Sequence, residues 1–285
     1  MTTSTTPLVS VVMPLRFPDE RFFPAAVRSI LEQTLTNIEL IIVEDPSPRS
    51  GRSMLGELAN DPRLRYIEND YPTGLPQQHN RAVSEARGEL IARFDADDLS
   101  EPHRLARQAE LMTQHADVGV IASFIQIIDE SDREVGVRTY PTEHAAIVRA
   151  MHRYNPISGS NAMFRRRVVD AVGGWREDSE LPAQDYEWYS RVARAGFRFA
   201  IVPEPLIRYR IHPSQIKSTK LRGTLRTTLE VKRRYWYSEM NLLSKIRMRL
   251  EMLLLLAPPS LVAWLFRTMH YRRTGRTHRA KLSIC

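Results

Sequence analysis

Short continuous apolar runs alternate with amphipathic stretches through most of this chain, with polar turns between them. Val9-Ser10-Val11-Val12-Met13, stopped by Pro14, has the length and β-branched content of a buried strand. Phe23 to Gln33 then places Ala26, Val27, Ile30 and Leu31 on one helical face, with Pro24 near the start. Ile38 to Val43 and Leu64 to Ile67 predict two more strands, with a helix over Gly51–Asn60 between them. Gln77 to Arg87 predicts a helix closed by Gly88, and a buried strand follows, ending in Asp95-Ala96-Asp97-Asp98. This βαβαβαβ order with short connections predicts a mainly parallel, Rossmann-like sheet flanked by helices.

The alternation then loosens. Glu101-Pro102-His103 opens a helix to about Gln114, and Val118 to Ile128 reads as a strand followed by a polar turn over Asp129–Arg133. A helix over His144–Met151, a short strand over Asn161–Phe164 and a helical turn over Val168–Val172 come next. Asp185 to Ala195 is an amphipathic helix with Gly196 after it. Phe197 to Val202 is a strand ended by Pro203, and Ile207 to Arg210 is extended.

Composition narrows the class. The chain has 285 residues, 42% hydrophobic and 26% charged, which suits a globular α/β protein. The single cysteine, Cys285, permits no disulfide framework within the chain and suits a reducing cytosol. Met1 to Thr6 lacks the basic and apolar regions of a signal peptide.

Charge divides the chain. Residues 217–285 hold sixteen Lys/Arg against three Asp/Glu, about +13, within a total of +8, leaving about −5 for residues 1–216. Leu250 to Phe266 adds a dense apolar run interrupted by Pro258-Pro259. It is shorter than the ~20 residues that cross a bilayer, so it predicts two helices broken by the prolines. Flanking basic residues with Trp236, Tyr237, Trp264 and Tyr271 favour an anionic membrane surface as the partner over nucleic acid. The alternative use is padding of the domain or a homo-oligomer interface.

The candidate chemistry gathers at predicted strand ends: Pro14-Leu15-Arg16, Glu44-Asp45 and Asp95-Ala96-Asp97-Asp98. Ligands of open α/β sheets sit outside the carboxyl ends of strands. Carboxylates at the edge of an apolar core call for a positive partner. A hard cation such as Mg²⁺, held by one or two carboxylates plus substrate phosphates, is a natural one.

In order and spacing, these motifs resemble the family-2 glycosyltransferases, whose catalytic domain has the GT-A fold. The segments carrying the resemblance are Val9–Pro14 with Ser29–Thr34, Glu39–Asp45, Gly88–Asp98, Gly173-Gly174-Trp175, Gln184–Trp188 and Tyr209–Pro213, over about residues 8–216. The resemblance implies a GT-A domain over 1–216, with a nucleotide-binding half to about residue 100 and an acceptor half over 101–216. Residues 217–285 are then a helical extension.

It further implies a cytoplasmic enzyme, peripheral at the inner face of the cell membrane, working in cell-surface polysaccharide synthesis. Such an enzyme moves a sugar from a nucleoside diphosphate sugar, with UDP as the family-level expectation, to a glycan or lipid-linked acceptor with inversion. Mg²⁺ or Mn²⁺ is the implied cofactor. Asp97 would contact the metal. Asp95 would touch the ribose or share the metal, and Asp98 is either a second ligand or a structural acid. His212 would reach the metal or diphosphate from the second half. Pro14, Leu15, Arg16, Glu44, Asp45 and Ala96 would line the nucleotide crevice, with Asp45 accepting from the nucleobase and the Arg16 guanidinium stacking on it. His79 would meet the diphosphate or base, or belong to a plain helix-capping stretch. Asp185 would be the catalytic base, with Gln184 on the acceptor side and Trp175 and Trp188 as core or acceptor-wall aromatics.

Against this stand a nucleotidyltransferase, a phosphatase with an Asp nucleophile, and a non-catalytic membrane-docked sugar-binding protein. The first lacks its basic, glycine-rich phosphate loop after the first strand, and the second would carry its acid motif on the first strand. The third leaves the joint presence of Asp45, Asp95, Asp97 and Asp185 unused.

Overall fold

The computed structural model describes residues 6–177, 183–212 and 221–255. One mixed nine-stranded sheet forms the centre of these residues. Its first half is parallel. Strand β1 (Val9–Leu15) lies between β2 (Ile38–Glu44) and β4 (Leu90–Arg93), and β3 (Leu64–Glu68) flanks β2. The register sets Leu15 beside Glu44 and Val12 beside Arg93, so the polar strand ends share one rim.

The second half is mixed. β8 (Met163–Arg165) runs antiparallel to both β4 and β6 (Val118–Ile128). β9 (Arg198–Arg210) runs parallel to β6, and β5 (Leu99–Ser100) closes the order against β9. A hairpin strand, β7 (Glu134–Arg138), also pairs with β6.

Side-chain alternation assigns each face a core. Val9, Val11, Met13, Leu40 and Ile42 pack against α1 (Phe23–Leu31) and α3 (Arg104–Gln114). Val12, Ile41, Val43 and Ile91 pack on the other face, with α2 (Leu75–Glu85), α4 (His144–Met151) and α6 (Gln184–Arg194). The short helix α5 (Arg166–Val172) follows β8. α1 buries the predicted face and has Pro in its first turn. It stops at Leu31 because Gln33 turns away to tie two elements: its amide donates to the Glu101 carbonyl at 2.7 Å and accepts from the Leu105 N–H at 3.0 Å.

Several expectations are corrected. The helix expected over Gly51–Asn60 is two 3-10 turns, Gly51–Met54 and Gly56–Asn60, broken where Gly56 takes φ +52°. Gly88 does not close α2, which ends in extended backbone at Ala86. Gly88 instead lies so close to β1 that a Cβ there would stand 2.8 Å from the Ser10 nitrogen. Pro203 does not end its strand. β9 continues to Arg210 through register shifts opposite Ser123–Ile125, where no regular ladder asks a proline for a donor.

Residues 221–255 pack on the α6 side of the molecule. Helix α7 (Leu221–Val231) runs into a single π turn, Lys232–Trp236, and α8 (Leu242–Leu253) follows a short 3-10 turn. Trp236 is buried and donates to the Ser190 hydroxyl of α6 at 3.0 Å, so it is a core residue and not an interfacial one. Tyr235 donates to Glu187 at 2.6 Å. Pro258-Pro259, Trp264 and Tyr271 lie outside the described residues.

Candidate active site

Two acids end β2, and both are held by the protein. Glu44 accepts from the Gly51 N–H and the Tyr66 hydroxyl, each at 2.8 Å. Asp45 accepts from Asn69 Nδ2 at 2.7 Å, the Thr73 hydroxyl at 2.8 Å, the Thr73 N–H at 3.0 Å and the Gly74 N–H at 2.8 Å. A carboxylate has about four acceptor positions, so Asp45 is saturated by the loop that leads into α2. Burial alone would raise its pKa, but these donors outweigh it and hold the group below its ordinary value. Glu44 and Asp45 therefore build the floor of the crevice rather than offering open carboxylates. Pro14 and Leu15 are buried in β1. The Leu15 carbonyl accepts from the Asp45 N–H at 2.9 Å and from Gln78 at 2.7 Å.

Arg16 is exposed beyond β1, with its guanidinium carbon 4.8 Å from the Phe17 ring centroid. Phe17 is 63% exposed and adopts φ +54°. A bulky residue held in left-handed backbone with its ring in solvent is costly, and such residues concentrate at functional sites. The sequence reading passed over Phe17; its signal was an aromatic in the loop leaving a buried strand.

His79 is fully buried and stacks on Trp175 with centroids 4.8 Å apart. Neither ring nitrogen has a hydrogen-bond partner among the described residues, and burial followed by the nearby Arg93 charge drives its pKa well below the usual value. Of the two readings of His79, this enclosure fits the structural one. Trp175 and Trp188 take the core role of the two read for them. Trp188 is fully enclosed, Trp175 nearly so, and their rings stack 4.8 Å apart. They form the core beneath the site and present no face to a sugar.

The acidic segment after β4 splits into distinct environments. Asp95 and Asp97 are each about one-third exposed, and Ala96 between them is partly exposed. Asp97 Oδ2 meets His212 Nε2 at 2.9 Å, bringing the two halves of the chain together. Asp98 is wholly buried, and its Oδ1 accepts from the Arg210 N–H of β9 at 2.9 Å. Burial, then Asp97 and Asp95, push its pKa well above the ordinary carboxylate value. Of the two roles left open for Asp98, the structure supplies the structural one.

Buried arginines back these acids. Arg210 Nε donates to the Asp97 carbonyl at 2.9 Å, and Arg104 Nη2 donates to the Arg93 carbonyl at 2.9 Å. Burial lowers the Arg104 pKa to about 9. Among the described residues no three His, Cys, Asp or Glu side chains converge as a protein-only metal cage. Magnesium sites commonly supply only one or two carboxylates and leave the rest to phosphates and water. Asp95 and Asp97 are the carboxylates that fit that pattern, with His212 against Asp97.

Asp185 stands in the first turn of α6, whose N-cap is Ala183 with φ +70°. Asp185 is therefore not the cap. Its Oδ1 accepts from Trp175 Nε1 at 3.2 Å, and it forms an ion pair with Arg93. Gln184 beside it is partly exposed. Arg93 also donates to Asp95 Oδ1 at 3.1 Å, so one side chain touches both the acid segment and the acceptor-side helix.

This sheet and rim are those of a GT-A glycosyltransferase domain. The fold matches S. aureus TarS 1–349 in complex with UDP at a TM-score of 0.61 and 17% identity, covering 78% of this chain and 64% of that one. It also matches the mannosyltransferase PcManGT from Pyrobaculum calidifontis, in complex with GDP-Man and Mn²⁺, at a TM-score of 0.60 and 17% identity over 94% of this chain and 83% of that one. The chain belongs to glycosyl transferase family 2, whose model matches residues 10–173. Among curated relatives, the O-antigen biosynthesis glycosyltransferase WbnJ of Escherichia coli is 26% identical over 220 residues, 75% of this chain and 84% of that protein.

Proposed function

We propose that this glycosyltransferase transfers a sugar from a UDP-linked donor to a hydroxyl of a glycan or lipid-linked acceptor, with inversion, in cell-surface polysaccharide synthesis. The observation that carries the reading is that Arg93 joins Asp95 to Asp185 and His212 meets Asp97, each contact linking opposite halves of the chain. The WbnJ name supports the polysaccharide assignment, and the UDP complex of TarS supports the nucleotide.

Phe17 and Arg16 offer the nucleobase a stacking surface above the Asp45 loop. Asp97, Asp95 and His212 would hold Mg²⁺ or Mn²⁺, which when bound would supply Lewis-acid stabilisation of the charge on the leaving diphosphate. Asp185 takes the acceptor hydroxyl proton. The freed oxygen pair forms the bond to the anomeric carbon, and the bond from that carbon to the diphosphate breaks with its pair leaving on the nucleotide. Attack opposite the leaving group inverts the centre. We place the enzyme at the cytoplasmic face of the membrane, where α8 meets anionic lipid.

A panel of UDP-Glc, UDP-GlcNAc, UDP-Gal and GDP-Man with Mn²⁺, assayed for binding and nucleotide release, tests the reading. Binding of a UDP-sugar that is lost with EDTA is expected. Absence of binding and release across the panel would favour a non-catalytic role. Asp97→Asn should abolish metal-dependent donor binding. Asp185→Asn should leave donor affinity within about threefold and lower transfer by about 10²-fold or more, as expected for loss of a general base. Calorimetric titration and product assays on both variants would show it.

A further inference from the structure

Arg93 joins the two functional halves through a single buried guanidinium. It is the last residue of β4, and only 4% of its side chain is exposed. Its backbone is pinned from both sides: the Arg93 N–H donates to the Ala162 carbonyl at 2.8 Å, and its carbonyl accepts from Arg104 at 2.9 Å. From that fixed root, Nη2 reaches Asp95 at 3.1 Å and Nη1 pairs with Asp185.

A second, independent feature encloses the pair. Backbone at Gly159 lies directly against it, and a Cβ there would stand 2.6 Å from Arg93 Cζ and would also collide with Asp185 Oδ2. Trp175 Nε1 donates to the same carboxylate at 3.2 Å. The Asp185 carboxylate is thus located by a guanidinium, an indole N–H and a glycine wall. The planar fork of an arginine can hold two carboxylates at fixed separation, which an ammonium cannot.

We propose that Arg93 is a positioning residue that sets Asp185 at a fixed offset from the donor-side acid Asp95, and that Gly159 is kept without a side chain to leave room for this clamp. The inference rests on Asp185 acting as the base. A misplacement of about 1 Å can cost about 10²-fold in rate, so the clamp acts on turnover more than on donor affinity. The competing role is charge neutralisation alone, since a buried carboxylate without a partner is strongly destabilising.

Two substitutions separate these roles. Arg93→Lys keeps the charge and loses the fork. Gly159→Ala keeps both charges and drives a methyl group against the Arg93 guanidinium and the Asp185 carboxylate, so the pair must shift. Positioning predicts that each lowers kcat on the UDP-sugar panel with Mn²⁺ by about 10²-fold. Donor affinity should stay within about threefold and melting should remain cooperative. A readout free of turnover accompanies this: ¹⁵N NMR of the guanidinium in metal-free protein. Slow rotation about the Arg93 Cζ–Nη bonds is expected in wild type and its loss in Gly159→Ala and Asp185→Asn. Freely rotating Nη signals in wild type would overturn the proposal, and so would both variants keeping kcat within about threefold. If wild type itself turns over no donor while its Arg93 signals are slow, the clamp stands and the assignment of the reaction fails.

Discussion

At the scale of single residues, much of the counter-charge for the acidic rim comes from the chain itself. Carboxylates at a core edge call for positive partners. Arg93 pairs with Asp95 and Asp185, while burial pushes the pKa of Asp98 well above the ordinary carboxylate value and favours its neutral form. A bound cation then has to serve only the outer acids. This division was only half legible in the sequence. The acids announce themselves by clustering after an apolar run, whereas Arg93 inside that run reads as part of a strand, and Arg210 arrives from a distant one. Asp45 was located correctly as a strand-end acid, but its donors come from Asn69, Thr73 and Gly74, which no local pattern ties to it. Asp45→Asn places an amide donor against backbone N–H groups and should lower stability by about 1–3 kcal/mol. Faster hydrogen exchange at Thr73 and Gly74 would be the local sign. Because the folded pKa of Asp45 is depressed below 3.8, its contribution is fully present above that value and is lost as pH falls through the lower, folded one. Urea unfolding of wild type and Asp45→Asn between pH 2 and 6 should therefore converge at the acid end.

At the scale of elements, the periodic segments were the readable ones. β6 and α4 occupy the predicted spans, and α3 lies within its predicted span, because each has an uninterrupted pattern of the proper period. The failures share a cause: tertiary contacts decide what a glycine or proline does. Gly88 looks like a helix stop and is in fact a contact point, its N–H donating to the Ser10 hydroxyl at 2.8 Å. Pro203 looks like a strand stop and sits where β9 is irregular against β6. β5 and β7 lacked any signal strong enough to predict, being short or largely exposed. Gly88→Ala would press a methyl group onto β1 backbone, which cannot swing aside as a side chain can. A loss of about 1–3 kcal/mol in chemical denaturation is expected, within the usual range for overpacking. Gly56→Ala, with nothing within 4 Å of the added carbon, should show only the smaller penalty of its positive φ.

At the scale of the whole molecule, strand order along the chain gave no hint that β8 would separate β4 from β6, nor that residues 221–240 would pack on the α6 side. The family resemblance supplied the expectation that both halves meet; the physical means appear only in three dimensions. No described helix is long and apolar enough to cross a membrane. α8 nevertheless exposes Leu242, Leu243, Ile246, Leu250 and Leu253 at helical spacing, with Lys245 and Arg249 nearby. If this stripe meets lipid, the protein should float with vesicles rich in phosphatidylglycerol and not with phosphatidylcholine alone. Leu243→Glu with Ile246→Glu should remove the effect, and a salt-insensitive dimer by sedimentation would assign the stripe to self-association instead. One further joint crosses the molecule. Asn80 of α2 accepts from the Trp175 N–H and donates to the Trp175 carbonyl, both at 2.8 Å, and a Cβ at Gly174 would stand 2.8 Å from Asn80 Cγ. An acceptor half transplanted from one relative onto the donor half of another would therefore have to bring a matching residue 80 with it. Hybrids that mix a bulkier residue at 174 with Asn80 should fail to assemble, even when every residue on the catalytic rim is retained.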